Sequence, residues 1–140
     1  MKKEDTDLTL LLGNPIDSPE TTAVLASFDG ETKVKIDKLA REPRWISKKA
    51  GVVIYSEKTS KRITTVFLYS EGEEGFKQYG GLLPHGLSFS MTQDQAKACF
   101  TAPPRFSNAE RDTWDSEERR VIVRYRKTGP IARISATTAF

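Results

Sequence analysis

The sequence predicts an α+β domain in which helices pack on a single layer of antiparallel sheet. The chain has 140 residues, the length of one ordinary domain. Its 37% hydrophobic and 29% charged residues are typical of a globular protein. Short runs rich in β-branched residues follow a capped helical segment twice along the chain. Helices that alternate with strand pairs in this way indicate a layered α+β fold.

The first helix is predicted to begin after Ser18. Ser18 is a good N-cap, and Pro19 suits the first helical position because its missing N–H would have no partner there. Leu25 and Phe28 then fall on one helical face, which is the pattern of a buried stripe. The Asp-Gly pair at 29–30 is expected to end the helix.

The second helix is predicted to begin after Thr92. Thr92 and Gln95 have the spacing of a capping box, in which each side chain bonds the other residue's backbone N–H. Two prolines at 103–104 are expected to limit the segment. The buried face of this helix would carry Ala96, Cys99 and Phe100.

A β-hairpin is predicted after each helix. A polar linker leads to a tryptophan, Trp45 or Trp114, and an apolar strand begins seven residues later. Each strand is followed by a polar turn and a second apolar run, as in a hairpin. The first strands cover residues 51–56 and 120–126, and the second strands begin at Ile63 and Ile131. Their alternation predicts one core face and one solvent face.

We therefore predict two diverged helix–loop–β-hairpin repeats within a single domain, residues 1–140. The repeats would cover about residues 15–69 and 91–137, joined by a loop at 70–90. Chance similarity is the alternative, since amphipathic α+β proteins reuse few patterns. The connecting loop is rich in glycine and aromatic residues, and we expect a short strand at 87–89 within it. Loops on a rigid sheet are common binding sites.

The charge of the chain is unevenly distributed. Residues 1–32 carry 2 basic and 7 acidic side chains (−5), and residues 33–62 carry 10 and 3 (+7). Residues 63–118 carry 4 and 9 (−5), and residues 119–140 carry 6 and 0 (+6), which gives the net charge of +3. Such blocks steer partners if they fold onto separate faces. The alternative is that strand surfaces here favour basic residues and loops favour acidic ones.

The number of cysteines and the hydropathy of the sequence predict the cellular compartment of the protein. The single cysteine, Cys99, permits no intramolecular disulfide, which suits a reducing compartment. Acidic residues follow the basic N-terminus, and the apolar run at 8–12 is too short for a signal peptide. No apolar stretch reaches the length of a membrane span. We therefore expect a cytoplasmic protein that does not contact a membrane.

The sequence contains no recognisable catalytic or metal-binding motif. Its single histidine, His85, excludes a multi-histidine metal site. A nucleophilic pair of Cys99 with His85 is conceivable, but Cys99 lies on a predicted buried helix face, where cysteines are inert. The glycines lack a phosphate-loop spacing, and the acidic clusters lie in polar segments. We therefore predict no catalytic residues, no metal, no cofactor and no small-molecule ligand.

The clusters of basic residues suggest nucleic-acid binding as an alternative function. The basic hairpin at 119–133 and the basic stretch at 33–49 would suit contacts with phosphates. The stacking motifs of common RNA-binding modules are missing, however, and acidic segments adjoin both blocks. These two facts argue against nucleic acid as the partner.

The loop after the first hairpin resembles a segment of small bacterial proteins that act as immunity partners of secreted polymorphic toxins. A strand ending in Phe-Leu-Tyr precedes a Gly-Phe-x-x-Tyr-x-Gly-x-Leu-Pro-x-Gly-Leu-Ser-Phe segment, then a short helix, a proline loop and Trp-Asp. The resemblance covers about residues 45–135, with a weaker echo in 10–28. The residues that carry it are Gly75, Phe76, Tyr79, Gly81, Leu83, Pro84, Gly86, Leu87, Ser88, Phe89, Trp114 and Asp115.

The helix–loop–hairpin unit also resembles the repeat of β-lactamase-inhibitor-like proteins and of small outer-membrane-assembly lipoproteins, which are binding modules with a curved sheet. In those proteins Leu-Gly-x-Pro often follows the helix, whereas residues 100–103 here read Phe-Thr-Ala-Pro. Those proteins are exported, and this chain shows no export signal. Only their architecture is therefore expected here.

The resemblance to immunity proteins implies a non-enzymatic binder that occludes the active site of a cognate toxin. Binding hot spots would be aromatic and charged residues in a central patch. We predict Tyr69, Glu71, Glu73, Glu74, Phe76, Tyr79 and Trp114 as partner-binding residues. The alternative for the aromatic residues is packing within the protein. The alternative function is a cytoplasmic regulatory module that binds another protein. The sequence leaves open whether the acidic loop 71–74 or the basic hairpin 119–133 is the interface.

Overall fold

A computed structural model describes residues 3–28, 34–35 and 43–138. In these residues, eight antiparallel strands form one sheet in the order β1-β2-β3-β4-β8-β7-β6-β5. The strands are β1 Val34–Lys35, β2 Arg44–Ser47, β3 Val52–Ser56, β4 Ile63–Tyr69, β5 Phe106–Ser107, β6 Arg111–Asp115, β7 Arg120–Tyr125 and β8 Ile131–Thr137. The helices are α1 Pro19–Ala26 and α2 Gln93–Lys97, and short 3₁₀ helices lie at Lys3–Asp5, Leu8–Leu11, Glu73–Gly75 and Pro84–Gly86.

The sheet is joined at its centre by the last strand of each half of the chain. Strands β1 to β4 come from the first half and β5 to β8 from the second, and β4 pairs with β8. The predicted hairpins are confirmed as β3–β4 and β7–β8. The α+β class is therefore confirmed, whereas the repeat and the single-layer description stay interpretations.

Helix α1 begins as its capping sequence predicts. The side chain of Ser18 accepts a hydrogen bond from the backbone N–H of Thr21, and Pro19 opens the helix. Leu25 and Phe28 are buried against the first half of the sheet, in one cluster with Trp45. The predicted stop at 29–30 lies outside the described residues.

Helix α2 has the predicted capping box but is shorter than expected. Thr92 accepts from the backbone N–H of Gln95, whose side chain accepts from the backbone N–H of Thr92. The helix ends at Lys97, before Cys99 and Phe100. Both residues nevertheless pack, half-buried, against the cluster that contains Ala96.

Both helices lie over the same face of the sheet, here called the covered face. Val66 and Leu68 of β4 point to this face, and their neighbours across the β4–β8 pair are Ala136 and Ile134. All four side chains are fully buried. The covered face therefore holds the main core, with one cluster under each half of the sheet.

Strands β2 and β6 were not predicted, and one predicted strand is absent from the described residues. Trp45 belongs to β2 and Trp114 to β6, which extend the two hairpins. Charged residues such as Arg44 and Asp115 obscure these strands in the sequence. The strand expected at 87–89 is absent from the described residues, where a turn follows the 3₁₀ helix Pro84–Gly86.

Candidate functional site

The second face of the sheet has no α-helix over it in the described residues, and we call it the open face. Strand register places one side chain from each of seven strands directly opposite the next, in a line across this face. We call this line the central row. It consists of Ile46, Val53, Phe67, Ser135, Ile122, Thr113 and Phe106. In this row Phe106 is exposed, Ile46, Phe67 and Ile122 are partly exposed, and the other three residues are buried. Apolar side chains that reach the surface away from the main core are typical of a binding surface.

Aromatic side chains cluster where β3 and β4 cross the open face. Tyr55 lies edge-on to Phe67 with ring centroids 5.7 Å apart. Phe76, from the connecting loop, stacks on Tyr69 at 4.1 Å. Val53 is buried beneath the rings. Tyr55 and Phe67 stay partly exposed, so this small cluster ends at the surface.

Arg133 lies over this aromatic cluster. Its guanidinium carbon is 5.0 Å from the ring centre of Phe67 and 6.0 Å from that of Tyr69. Arg133 is directly opposite Tyr69 in the β4–β8 pair. A guanidinium over aromatic rings is held by cation–π attraction and presents its N–H groups outward.

Two further arginines continue from Arg133 towards the sheet edge, and we call the three the arginine row. Arg124 in β7 is directly opposite Arg133, and Arg111 in β6 is directly opposite Arg124. Arg111 and Arg124 are exposed. Within the described residues, neither side chain has an ion-pair or hydrogen-bond partner.

The neighbouring arginine, Arg120, is arranged differently. Arg120 is directly opposite Asp115, and its Nε and Nη2 donate to the two carboxylate oxygens at 2.6 and 2.9 Å. Arg105 donates to the same carboxylate at 2.5 Å. The hydrogen bond from Arg120 is the main cause that lowers the pKa of Asp115 to about 2.

The acidic loop 71–74 and the basic hairpin 119–133 lie side by side. Arg126 Nε is 3.3 Å from Glu73 Oε2, and Arg126 also donates to Ser70 Oγ at 2.8 Å and to the carbonyl oxygen of Glu71. Arg133 Nη1 is 3.4 Å from Glu74 Oε2. The two candidate interfaces are therefore parts of one surface.

A groove of about 460 Å³ separates the acidic loop from the basic hairpin. Backbone geometry shapes its acidic wall, because Glu74 has a φ of 51° between two glycines with positive φ, Gly72 and Gly75. A non-glycine residue in this left-handed region is strained. The charged residues that line the groove are Glu73, Glu74, Glu110, Arg124, Arg126, Lys127 and Arg133.

Tyr79, one of the predicted partner-binding residues, is buried in the core. Its hydroxyl donates to the carbonyl oxygen of Thr6 at 2.6 Å and accepts from the N–H of Leu8 at 3.3 Å, and its ring stacks on Phe28. A Cβ on Gly81 would lie 2.2 Å from the Tyr79 hydroxyl, so only glycine fits there. Tyr79 therefore anchors the connecting loop to the N-terminal segment.

Trp114 also packs inside the protein. Its indole stacks on Phe100 at 3.7 Å and donates to the carbonyl oxygen of Ala102 at 3.1 Å. For Tyr79 and Trp114, the structure matches the packing alternative.

The other predicted partner-binding residues lie at or near the surface of the open face. Tyr69 and Phe76 are mostly buried but belong to the open-face cluster. Glu71 and Glu74 are exposed, and Glu73 is half-exposed.

Cys99 and His85, the conceivable nucleophilic pair that the sequence analysis set aside, each contact other residues of the protein. Cys99 Sγ lies 3.7 Å from Met91 Sδ and 3.6 Å from the carbonyl oxygen of Gln95. The His85 ring lies tilted against Phe100 with ring centroids 4.4 Å apart, and the pKa of His85 is lowered by burial and by Arg119. Over the part of the chain that the structure describes, no three histidine, cysteine or acidic side chains come together as a metal site. No helix in those residues is long and apolar enough to cross a bilayer.

Sequence reasoning missed the open-face residues that the sheet brings together. Tyr55 and Phe67 alternate out of the core in strands that were predicted, so their direction was visible in the sequence. The sequence could not show that Arg111 and Arg124 are cross-strand neighbours, because β6 was not predicted. Strand β6 shows no clean alternation, because Asp112, Thr113 and Trp114 are all buried.

Comparison with known proteins shows a fold likeness without a family. No family model matches the chain, and no curated protein matches it. The structure is similar to the crystal structure of a cysteine-rich secretory protein from Staphylococcus aureus subsp. aureus Mu50, with a TM-score of 0.55 and 9% identity. The likeness covers 99% of this chain and 48% of that one, so this chain spans about half its length. At this identity, the similarity concerns the fold alone.

Proposed function

We propose that the protein is a binding module that docks a partner protein on the open face of its sheet. The observation that carries this proposal is the central row, which places apolar and aromatic side chains next to Arg111 and Arg124, two arginines that have no partner within the described residues. Protein interfaces are enriched in aromatic residues and arginine and combine an apolar centre with a polar rim. A face used only for solvation would need neither feature.

The open face favours a partner with an apolar centre and acidic flanks. Arginines on this face include Arg111, Arg124 and Arg133, whereas Glu73 and Glu74 of the acidic loop already engage basic groups of the protein. Glu71 also accepts a hydrogen bond from the backbone N–H of Gln78 at 2.8 Å. The acidic loop is thus largely committed within the protein. Arg111 and Arg124, which have no partner within the described residues, supply the charge that a partner would contact.

In its specific form, the proposal is that this protein is a cytoplasmic immunity protein that binds and blocks a cognate secreted bacterial toxin. The support is the resemblance carried by the connecting loop together with the open face. Occlusion of an active site is steric and electrostatic, so such a protein needs no catalytic group of its own. A regulatory module that binds a different protein on the same face is the second candidate.

We also interpret the two halves of the chain as diverged repeats on a single-layer sheet. Each half contributes one capped helix followed by four strands, and the strand order mirrors itself about the β4–β8 pair. Trp45 and Trp114 stand on corresponding strands and are both buried. A continuous sheet with one open face gives the breadth that a protein interface requires.

Affinity capture with matched variants tests this function. The face variant is Phe106→Ser with Ile122→Ser, and the control is Leu10→Ser with Leu82→Ser. Phe106 is 58% exposed, and the control leucines are 70% and 50% exposed outside the open face. From the native cell lysate, wild type and control should retain one protein in near-equal amount after a high-salt wash, and the face variant should not.

The identity of the captured protein separates the two forms of the proposal. A secreted multidomain protein whose C-terminal domain stops growth, and whose effect this protein relieves, supports immunity. A cytoplasmic partner without toxicity supports a regulatory module. Equal retention by wild type and the face variant would contradict docking on the open face.

A further inference from the structure

The arginine row is an unfavourable arrangement in the free protein. Arg111, Arg124 and Arg133 are direct cross-strand neighbours on three adjacent strands. Adjacent strands are ~4.8 Å apart, so the row spans ~10 Å. Like charges directly opposite each other destabilise a sheet. A row of three therefore needs an anion to balance it.

The same sheet shows how an arginine is balanced when its role is structural. Arg120, four residues before Arg124 in β7, faces Asp115 across the strand pair and forms two hydrogen bonds with it. Arg111 and Arg124 have no such carboxylate within the described residues. The difference indicates that the row is completed by a group outside the residues that the structure describes.

Glu74 shows which group fits. Its carboxylate approaches Arg133 from the acidic loop at 3.4 Å, so the protein itself places one carboxylate at the end of the row. The next two positions, Arg124 and Arg111, are open and exposed. Guanidinium groups bind carboxylates in a two-pronged geometry that adds specificity as well as energy.

We infer that the arginine row binds a run of acidic side chains on the partner protein, continuing the contact that Glu74 begins. This inference rests on the proposed function and names the chemistry of the partner at the same face. The partner segment would lie across β7 and β6, with its carboxylates on Arg124 and Arg111 and its apolar residues on the central row.

A single-stranded nucleic acid is the poorer occupant. The rings near the row are already engaged, because Phe76 stacks on Tyr69 and Arg133 lies over Phe67. Single-stranded nucleic acids need free ring faces on which bases stack.

The test is titration of the purified protein with a hexaglutamate peptide at low salt, followed through the Nε–Hε signals of the arginine side chains by NMR. The variant is Arg124→Gln. Its control is Lys58→Gln, which removes one exposed charge from the β3–β4 turn, at the end of β4 away from Tyr69. We expect Arg124 and Arg111 signals to shift in wild type, and the affinity to fall about tenfold in Arg124→Gln only.

Three results would overturn the inference. Equal weakening by both variants would mean that the peptide senses net charge alone. Tighter binding of inorganic phosphate or of an oligothymidine than of hexaglutamate would assign the row to phosphates. Absence of shifts at Arg111 and Arg124 would exclude them from the contact.

Capture from lysate separates this inference from the proposed function. If Arg124→Gln retains the partner and the Phe106→Ser, Ile122→Ser variant does not, docking on the open face stands and the acidic-segment inference fails. If both variants lose the partner, the proposed function and the acidic-segment inference both stand. If the face variant retains it, the proposed function fails whatever the peptide shows.

Discussion

Neighbouring residues in the same strands meet different surroundings on the two faces of the sheet. Val66 and Ile134 point to the covered face and are fully buried, whereas Phe67 and Arg133, the next residues along, stay half-exposed on the open face. The covered face is closed by helices and loops that the chain itself supplies. The open face carries a second, smaller apolar cluster that the described part of the chain does not close. The comparison teaches that the covered face stabilises the fold, whereas the open face is left as the candidate surface for a partner.

The largest expected effect is on the covered face. Phe28 is 2% exposed and stacks on Tyr79 with ring centroids 5.6 Å apart. Replacing Phe28 by alanine should lower the free energy of unfolding by about 3–5 kcal/mol, because it removes buried surface and leaves a cavity. Phe106→Ala on the open face should cost less than ~0.5 kcal/mol. Urea denaturation measures both, and similar losses would contradict the division between the faces.

Tyr79→Phe should have an intermediate effect. The variant keeps the ring but leaves the Thr6 carbonyl oxygen and the Leu8 N–H without their partner, which costs about 1–3 kcal/mol. Burial raises the pKa of Tyr79 above its ordinary value of 10.0. The neutral phenol therefore stabilises the fold below pH 10, and this contribution is lost as the pH rises beyond it.

Alkaline unfolding checks the prediction for Tyr79. The free energy of unfolding should fall more steeply above pH 10 in wild type than in Tyr79→Phe. The same slope in both proteins would show that the Tyr79 phenol ionises equally in the folded and unfolded chain.

Asp115→Asn should change how steeply the stability of the protein falls at acidic pH. The folded-state pKa of Asp115 is lowered from 3.8 to about 2, first by its hydrogen bond from Arg120. The ion pair therefore contributes fully above pH 3.8, and its contribution is lost as the pH falls towards 2. Thermal unfolding between pH 5 and 2 should show a shallower loss in Asp115→Asn and in Arg120→Gln than in wild type. The same loss in both variants as in wild type would contradict the pairing.

The smallest effect is expected at Arg124. Arg124→Gln removes one of three opposed arginines, so stability should stay unchanged or rise by roughly 0.2–1 kcal/mol at low salt. The gain should shrink in high salt, because the charges are exposed to solvent. Arg120→Gln, which breaks an ion pair, should instead destabilise. Thermal unfolding at two salt concentrations measures both, and a loss in Arg124→Gln would show that Arg124 supports the fold.

Several elements were predictable because their signals are local. The Ser18 and Thr92 caps act within one turn of helix, and the hairpin strands show their alternation within a few residues. Strand β6 escaped prediction because Asp112, a carboxylate, occupies a fully buried position. Asp112 is accommodated only because Tyr125 Oη and Gln93 Nε2 donate to one of its oxygens at 2.8 and 3.1 Å.

The candidate site depended on contacts between distant parts of the chain. Tyr79 was expected at an interface because its segment is rich in glycine and polar residues. The tertiary fold instead buries it against Thr6 and Phe28. The acidic loop and the basic hairpin were alternatives in the sequence, yet Glu74 and Arg133 are in contact.

The sequence by itself determined the α+β class, the two capped helices, the two hairpins and the solvent-facing direction of their alternate residues. These features depend on capping, turn chemistry and the two-residue period of a strand, which act between close neighbours. Only the tertiary structure decided that β4 pairs with β8, that three arginines stand in one row and that an acidic loop lies beside them. Pairing between distant strands is selected by the packing of the whole core, and a local pattern does not encode which strand becomes a neighbour.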